Sequence, residues 1–207
     1  PKFLRGQRIM ELVRWEEHLK LDATVDQVKS DLADGMQVVV AAETVSDELT
    51  IKGLDDKKIM GFIGLIKDRL DSEGISYTEL TGKSKNRDAN VAAFQEGKVP
   101  VVVMTAASGG TGINLDDTVG DTPRSLIMVT KNWSGDKVVQ LIGRVSRKNT
   151  QSPSVISVVN LEGGIGDKHK SSVVNRKLNT LLSSSGEPTI LDDLDNVDWT
   201  SIKDSEG

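Results

Sequence analysis

The sequence predicts an α/β protein: an open, mostly parallel sheet with helices on both faces. Three observations carry that prediction. Short Val- and Ile-rich runs recur along the chain, and segments with helical spacing of apolar residues separate them. Aromatic residues are only 3% of the 207, so the core must be built from Val, Ile and Leu, as in a sheet buried on both sides.

In chain order, the first 20 residues, with Arg5, Arg8, Met10, Leu12, Val13 and Trp15, read as a helical lead-in. Thr24 is placed to cap a helix running to about Ala33, which Gly35 ends. The run QVVVAA at 37–42 has the β-branched make-up of a central strand. Residues 55–72 place Ile59, Phe62, Ile63, Ile66 and Leu70 at helical spacing and stop at Gly74. Ile75 to Leu80 alternates as a strand, Asn86 to Phe94 is helical with a stop at Gly97, and Val99 to Met104 is another buried strand. Ser125 to Thr130 and Val155 to Val159 bring the strands to five, with a helix at about 135–147 between the last two. A final helix is expected at 166–182, followed by an acidic, Ser-rich linker or partly ordered extension.

Composition excludes several kinds of chemistry. With no cysteine there is neither a disulfide nor a thiolate metal site. His18 and His169 stand far apart and neither has a neighbour at metal-ligand spacing, so both read as surface residues. No apolar run is long enough for a membrane span and no signal peptide is visible, which points to an intracellular, non-secreted protein. The chain begins at Pro1 rather than Met, as an excised fragment would. The formal charge of -5 is local: between Gly186 and Gly207 seven acidic residues face one lysine, Lys203, leaving the rest of the chain close to neutral. Phosphate binding would therefore depend on local basic clusters.

Thr81-Gly82-Lys83-Ser84 looks like the end of a phosphate-binding loop. The full pattern needs a glycine five residues before Gly82, where backbone N–H groups curl round a phosphate, and that position is Tyr77. No strand ends in an Asp-Glu pair for magnesium either. The chain lacks its own Walker A and Walker B.

Two other segments are informative. At 101–115 a buried strand runs through Thr105 and Ser108 into a loop with Gly109, Gly110 and Gly112. Such glycines let the backbone approach a ligand and leave N–H groups open to anions, although a plain tight turn would use them too. At 137–148, a continuous helix would put Lys137, Gln140, Arg144 and Arg147 on one face, opposite an apolar stripe of Val138, Leu141, Ile142 and Val145. A solvated basic face is the plain alternative. The order of the two segments, about 25 residues apart, makes chance a poor account.

Together they resemble motifs V and VI of superfamily 2 helicases and translocases, nearest the Swi/Snf-like or strawberry-notch-like branch. Motif V is similar to Gly109-Gly110-x-Gly112-Ile113-Asn114-Leu115, and motif VI to Gln140-x-x-Gly143-Arg144-x-x-Arg147 followed by Gln151. Trp133 and the stretch at 81–97, with its Gly, Arg and Phe landmarks, fit as well, and strand 37–42 leading to Thr44 would be motif IV. The resemblance covers roughly residues 24–182.

It implies a RecA-like, P-loop NTPase-type fold for a second motor lobe of an ATP-dependent DNA helicase or translocase. Residues 1–23 would be a linker from a missing first lobe, 24–185 the helicase C-terminal domain, and 186–207 an acidic tail. ATP and Mg2+ would be held mainly by the N-terminal RecA-like lobe of the same polypeptide, and duplex DNA would be the track. Arg147 resembles the arginine finger and Arg144 a second contact to the terminal phosphates. Gly112 and Asn114 would lie near the nucleotide, with Gln140 orienting the motif VI network. Thr105, Ser108, Gly109 and Gly110, with Thr44, Gly82 and Lys83, are the nucleic-acid backbone candidates, whereas Lys85 and Arg87 read as solvated.

The sequence departs from the family in two places. Asn114 stands where many helicases have Asp, and residues 116–124 are long for a link between motif V and the next strand. This assignment requires both arginines to face a crevice along the sheet's carboxyl edge and to be free of internal ion pairs. Two alternatives remain: a non-enzymatic lobe that binds nucleic acid or protein with degenerate motifs, and an unrelated doubly wound enzyme with a ligand at the Gly109–Gly112 loop.

Overall fold

A computed structural model describes residues 15–43, 48–51, 57–82, 84–107, 112–130, 135–161 and 197–203. The expected helix at 166–182, His169, Trp133 and most of the lead-in before Trp15 lie outside them.

Residues 15–19 are helical, and the chain turns at Lys20 into α1, Leu21–Ala33. Thr24 is therefore inside the helix rather than at its cap: it is fully buried, and its hydroxyl donates to the Lys20 carbonyl at 2.7 Å. The helix starts early because Lys20 is itself buried, so the chain is already fixed against the sheet one turn before Thr24. Val25 and Val28 face inward at helical spacing, with Asp31 receiving the Ser125 hydroxyl at 2.6 Å. Gly35, Gly74 and Gly97 all take positive φ (79°, 69° and 71°) just past helix ends, where a side chain would be strained.

β1 (Gln37–Ala42) is buried along its whole length. A hairpin follows, β2 (Glu48–Ile51) antiparallel to β3 (Lys57–Met60). The expected helix at 55–72 thus starts later, as α2 (Phe62–Ser72), beyond an extended Gly61. Ile59 shares the helical spacing of Phe62, Ile63, Ile66 and Leu70 but belongs to the hairpin, because four residues cannot distinguish a strand from a helix turn.

The remaining elements are β4 (Tyr77–Leu80), α3 (Arg87–Gln95), β5 (Val101–Thr105), β6 (Arg124–Met128), α4 (Gly135–Ile142), β7 (Ser154–Asn160) and β8 (Val197–Lys203). Six strands form one sheet in the order β4-β5-β1-β6-β7-β8, and every pairing is parallel. All five expected strands are present; the sixth comes from the acidic extension, seven residues of which pair with β7.

One apolar layer joins Val25 and Val28 of α1 and Phe62, Ile63, Ile66 and Leu70 of α2 to Val38, Val40, Val101, Val103 and Ile127. The other joins Phe94 of α3 and Val138, Leu141 and Ile142 of α4 to Val39, Val102, Leu126 and Ile156, with Ile113 and Leu115 filling it from a loop. Alternate residues of each strand feed opposite layers, as the pleat requires. No helix among the described residues is long and apolar enough to cross a membrane.

Candidate phosphate-binding site

The chain leaves β5 at Thr105, which is buried, and Ala106 N–H donates to the Ala42 carbonyl at 2.8 Å, extending the β1–β5 ladder by one bond. Ser108, Gly109 and Gly110 lie outside the described residues, as do Thr44 and Lys83. At Gly112 the backbone takes φ 105° in open space. Beyond it the chain alternates: Ile113 and Leu115 point into the core, while Asn114 is exposed.

This segment is clasped to the motif VI turn. Leu115 N–H donates to the Arg144 carbonyl at 2.8 Å, the Arg144 guanidinium donates through Nη1 to the Ile113 carbonyl at 3.3 Å, and Gln151 N–H donates to the Asp117 carbonyl at 2.8 Å. α3 holds the same segment from outside, with Gln95 Nε2 donating to the carbonyls of Asn114 and Asp116. The described part of the first motif, from Gly112 on, is thus tied directly to the turn of the second.

The expected single helix face does not exist. α4 ends at Ile142 and the chain tightens, with Arg144 N–H bonding to Leu141 and Val145 N–H to Ile142. Arg144 and Arg147 therefore lie on the turn that enters β7, not on the helix with Lys137 and Gln140. Spacings of three and four fit a tight turn as well as a helix, so the sequence pattern was ambiguous. A helix between parallel strands runs antiparallel to them, which brings this turn toward the amino side of the sheet. That overturns the carboxyl-edge condition set on these arginines above; a phosphate reaches them only where a second lobe presents it to the amino side of this sheet.

The arginines differ. Arg144 is only 7% exposed, yet among the described residues it meets no carboxylate. Burial lowers its pKa from the ordinary arginine value, and the positive charges of Arg147 and Arg87 lower it further. Arg147 is exposed; its Nε donates to the Gly143 carbonyl at 2.8 Å and its N–H to the Thr150 hydroxyl at 2.7 Å. Both Nη groups of Arg147 have no described partner. A buried cation whose charged neighbours are cations is a site that favours an anion. Gln140 is exposed and makes no described hydrogen bond to either arginine. Arg87, read as solvated from the sequence, acts on Arg144 from the first turn of α3.

Residues 116–123 form a loop, and Arg124 of the expected insertion already belongs to β6. The Asp117 carboxylate, 1% exposed, accepts N–H groups from Val119, Gly120 and Thr122 at 3.0, 2.9 and 3.2 Å. Burial pushes its pKa up, but the hydrogen bonds from Ser152, Gly120, Val119 and Thr122 win and hold it below the usual carboxylate value. An Asp followed by Thr-Val-Gly is a turn signal that could have announced this loop. Below it Arg124 bonds to Gln37, to Gln95 Oε1 at 2.9 Å and to the Leu115 carbonyl at 3.0 Å, and its guanidinium lies 5.0 Å from the Phe94 ring centre. Gly82 is exposed in a turn that Ser84 closes, the hydroxyl accepting Thr81 N–H at 2.9 Å and donating to the Glu79 carbonyl at 2.9 Å. Gly82 and Thr105 thus mark the carboxyl ends of β4 and β5, away from the arginine turn.

Parallel strands with helices on both faces, and a glycine-bearing segment clasped to an arginine turn, define a RecA-like lobe. The chain belongs to the helicase conserved C-terminal domain family, whose model matches residues 19–149. Among solved structures it is similar to the C-terminal part of the Fun30 ATPase domain, at 15% identity and a TM-score of 0.54 over 75% of this chain and 44% of that one. The chain therefore spans less than half of that protein's length, and the likeness is one of fold. The C-terminal domain of the DEAD-box protein Dbp5 also matches, at 18% identity and a TM-score of 0.46 over 86% of this chain and 82% of that one. No curated protein sequence matches the chain.

Proposed function

We propose that this chain is the second motor lobe of an ATP-dependent DNA translocase or helicase of the Swi/Snf-like or strawberry-notch-like branch, and that it lends arginines to ATP held on an N-terminal RecA-like lobe. The observation that carries this reading is Arg144: a guanidinium 7% exposed, bonded to the Ile113 carbonyl, whose charged neighbours among the described residues are cations. A terminal phosphate supplies the missing negative charge.

Arg144 binds and orients that phosphate, and Arg147, exposed and anchored through Nε alone, stabilises the charge that spreads over the equatorial oxygens during transfer. The clasp from Arg144 to Ile113 and Leu115 makes the motif V segment, with Gly112 and Asn114, respond to occupancy of the phosphate site. No three described side chains are grouped to hold a metal, so Mg2+ is assigned to the first lobe with the rest of the nucleotide. Duplex DNA is assigned to the carboxyl-edge loops through backbone phosphates, with exposed Gly82 as a described member of that surface and buried Thr105 beneath it. Nucleotide and track then occupy separate sides of one lobe.

The test is Arg147→Ala in the protein that carries both lobes. Hydrolysis should fall by about 10³-fold or more while ATP binding survives. Turnover close to that of the unaltered protein would remove the finger assignment.

A further inference from the structure

Two buried charged residues of the lead-in helix take no part in phosphate binding. Glu17 and Lys20 are each 1% exposed. Glu17 Oε1 accepts the Thr130 hydroxyl at 2.6 Å and the Glu43 N–H at 3.0 Å, and Lys20 Nζ donates to the Val129 carbonyl at 2.9 Å. Glu43 follows β1, whereas Val129 and Thr130 follow β6, its neighbour in the sheet. From β1 the chain passes to α2 on one face, and from β6 to α4 on the other. Where adjacent strands send their connections to opposite faces, a crevice opens at the carboxyl ends, the usual ligand position of such a sheet. In this lobe the chain's own Glu17 and Lys20 fill it.

Burying a carboxylate and an ammonium costs solvation that their hydrogen bonds only roughly recover. What such groups fix well is geometry, because only one placement of the helix satisfies the Glu43, Val129 and Thr130 groups together.

We propose that Glu17 is a positioning residue for the arginine turn. It locks the end of β6 to the end of β1, and β6 pairs along its length with β7, the strand that the arginine turn enters. A displacement of the segment before α1 is then transmitted to the arginines through Thr130. This rests on the reading of those arginines as phosphate contacts.

The experiment titrates the chain with inorganic tripolyphosphate and follows arginine Nε–H resonances, with a dispersed backbone amide spectrum establishing that each variant is folded. Glu17→Ala strands both donors, Thr130→Val removes the hydroxyl at constant volume, and Glu17→Gln keeps the acceptor. The expected result is affinity about three- to fivefold weaker in Glu17→Ala and Thr130→Val, a size ordinary for coupling through packed elements, with Glu17→Gln within about twofold of the unaltered chain. Unchanged affinity in Thr130→Val and Glu17→Ala overturns the proposal; should Glu17→Ala not fold, Thr130→Val decides alone. A separate arm distinguishes the underlying reading: if Arg144→Met and Arg147→Ala leave tripolyphosphate binding intact, the phosphate site itself is wrong and the coupling falls with it.

Discussion

Arg144→Met separates a side chain kept for the fold from one kept for a ligand. The guanidinium is 7% exposed and gives up one hydrogen bond, at 3.3 Å to the Ile113 carbonyl, when it is replaced. Losing that bond and leaving the carbonyl unpaired costs about 1–3 kcal/mol. Against this, methionine fills similar space without a charge whose burial costs several kcal/mol, and it removes the repulsion from Arg147 and Arg87. The two effects leave R144M between neutral and about 2 kcal/mol more stable than the unaltered chain. Tripolyphosphate at about 100 times its dissociation constant should add about 2.7 kcal/mol to the unaltered chain, raising Tm by about 5–10 °C at this size. In R144M that rise should largely vanish. The assay is thermal melting with and without the anion. A variant destabilised by more than about 1 kcal/mol that still gains the full anion shift would refute the reasoning, making Arg144 a structural pin.

Asp117→Asn should destabilise the chain at neutral pH by about 1.5–3 kcal/mol, the range for hydrogen bonds to a charged group. The Asp117 pKa is lower in the folded state, so its contribution is present above the ordinary carboxylate value and is lost as pH falls through the depressed one. Melts of the two chains should converge in acid; a gap independent of pH would contradict this. Arg124→Met should cost about 1–3 kcal/mol, since Gln37, Gln95 and the Leu115 carbonyl all lose a donor in a buried place. Denaturant unfolding measures it, and a loss under about 1 kcal/mol would mean that these acceptors find other partners.

The sheet was legible because its strands are unbroken runs of small branched residues: QVVVAA and VVVMT can be buried on both faces and little else. Helix ends were legible where glycine takes positive φ, as at Gly35, Gly74 and Gly97. The hairpin was hidden because Ile59 continues the rhythm of α2 across Gly61. In the site, residue types were readable but their support was not. Arg144 and Arg147 were picked out by spacing, yet the turn that bears them follows from the early end of α4 and from long-range bonds to Ile113 and Leu115. Glu17 and Lys20 look like ordinary solvated residues of a charged helix, yet the Glu43 N–H, the Val129 carbonyl and the Thr130 hydroxyl, 26 to 113 residues away, hold them in the interior. No local pattern announces such partners.

The position of β1 has a consequence for how the chain is made. Val38 lies 63 residues before its β5 partner Val101 and 87 before its β6 partner Ser125. This fully buried strand therefore leaves the ribosome long before either neighbour exists, and closing such distant pairs makes assembly slow. Until then QVVVAA is an open edge to foreign strands, and the one cover already synthesised is α1, whose Val25 and Val28 pack in the same layer as Val38 and Val40.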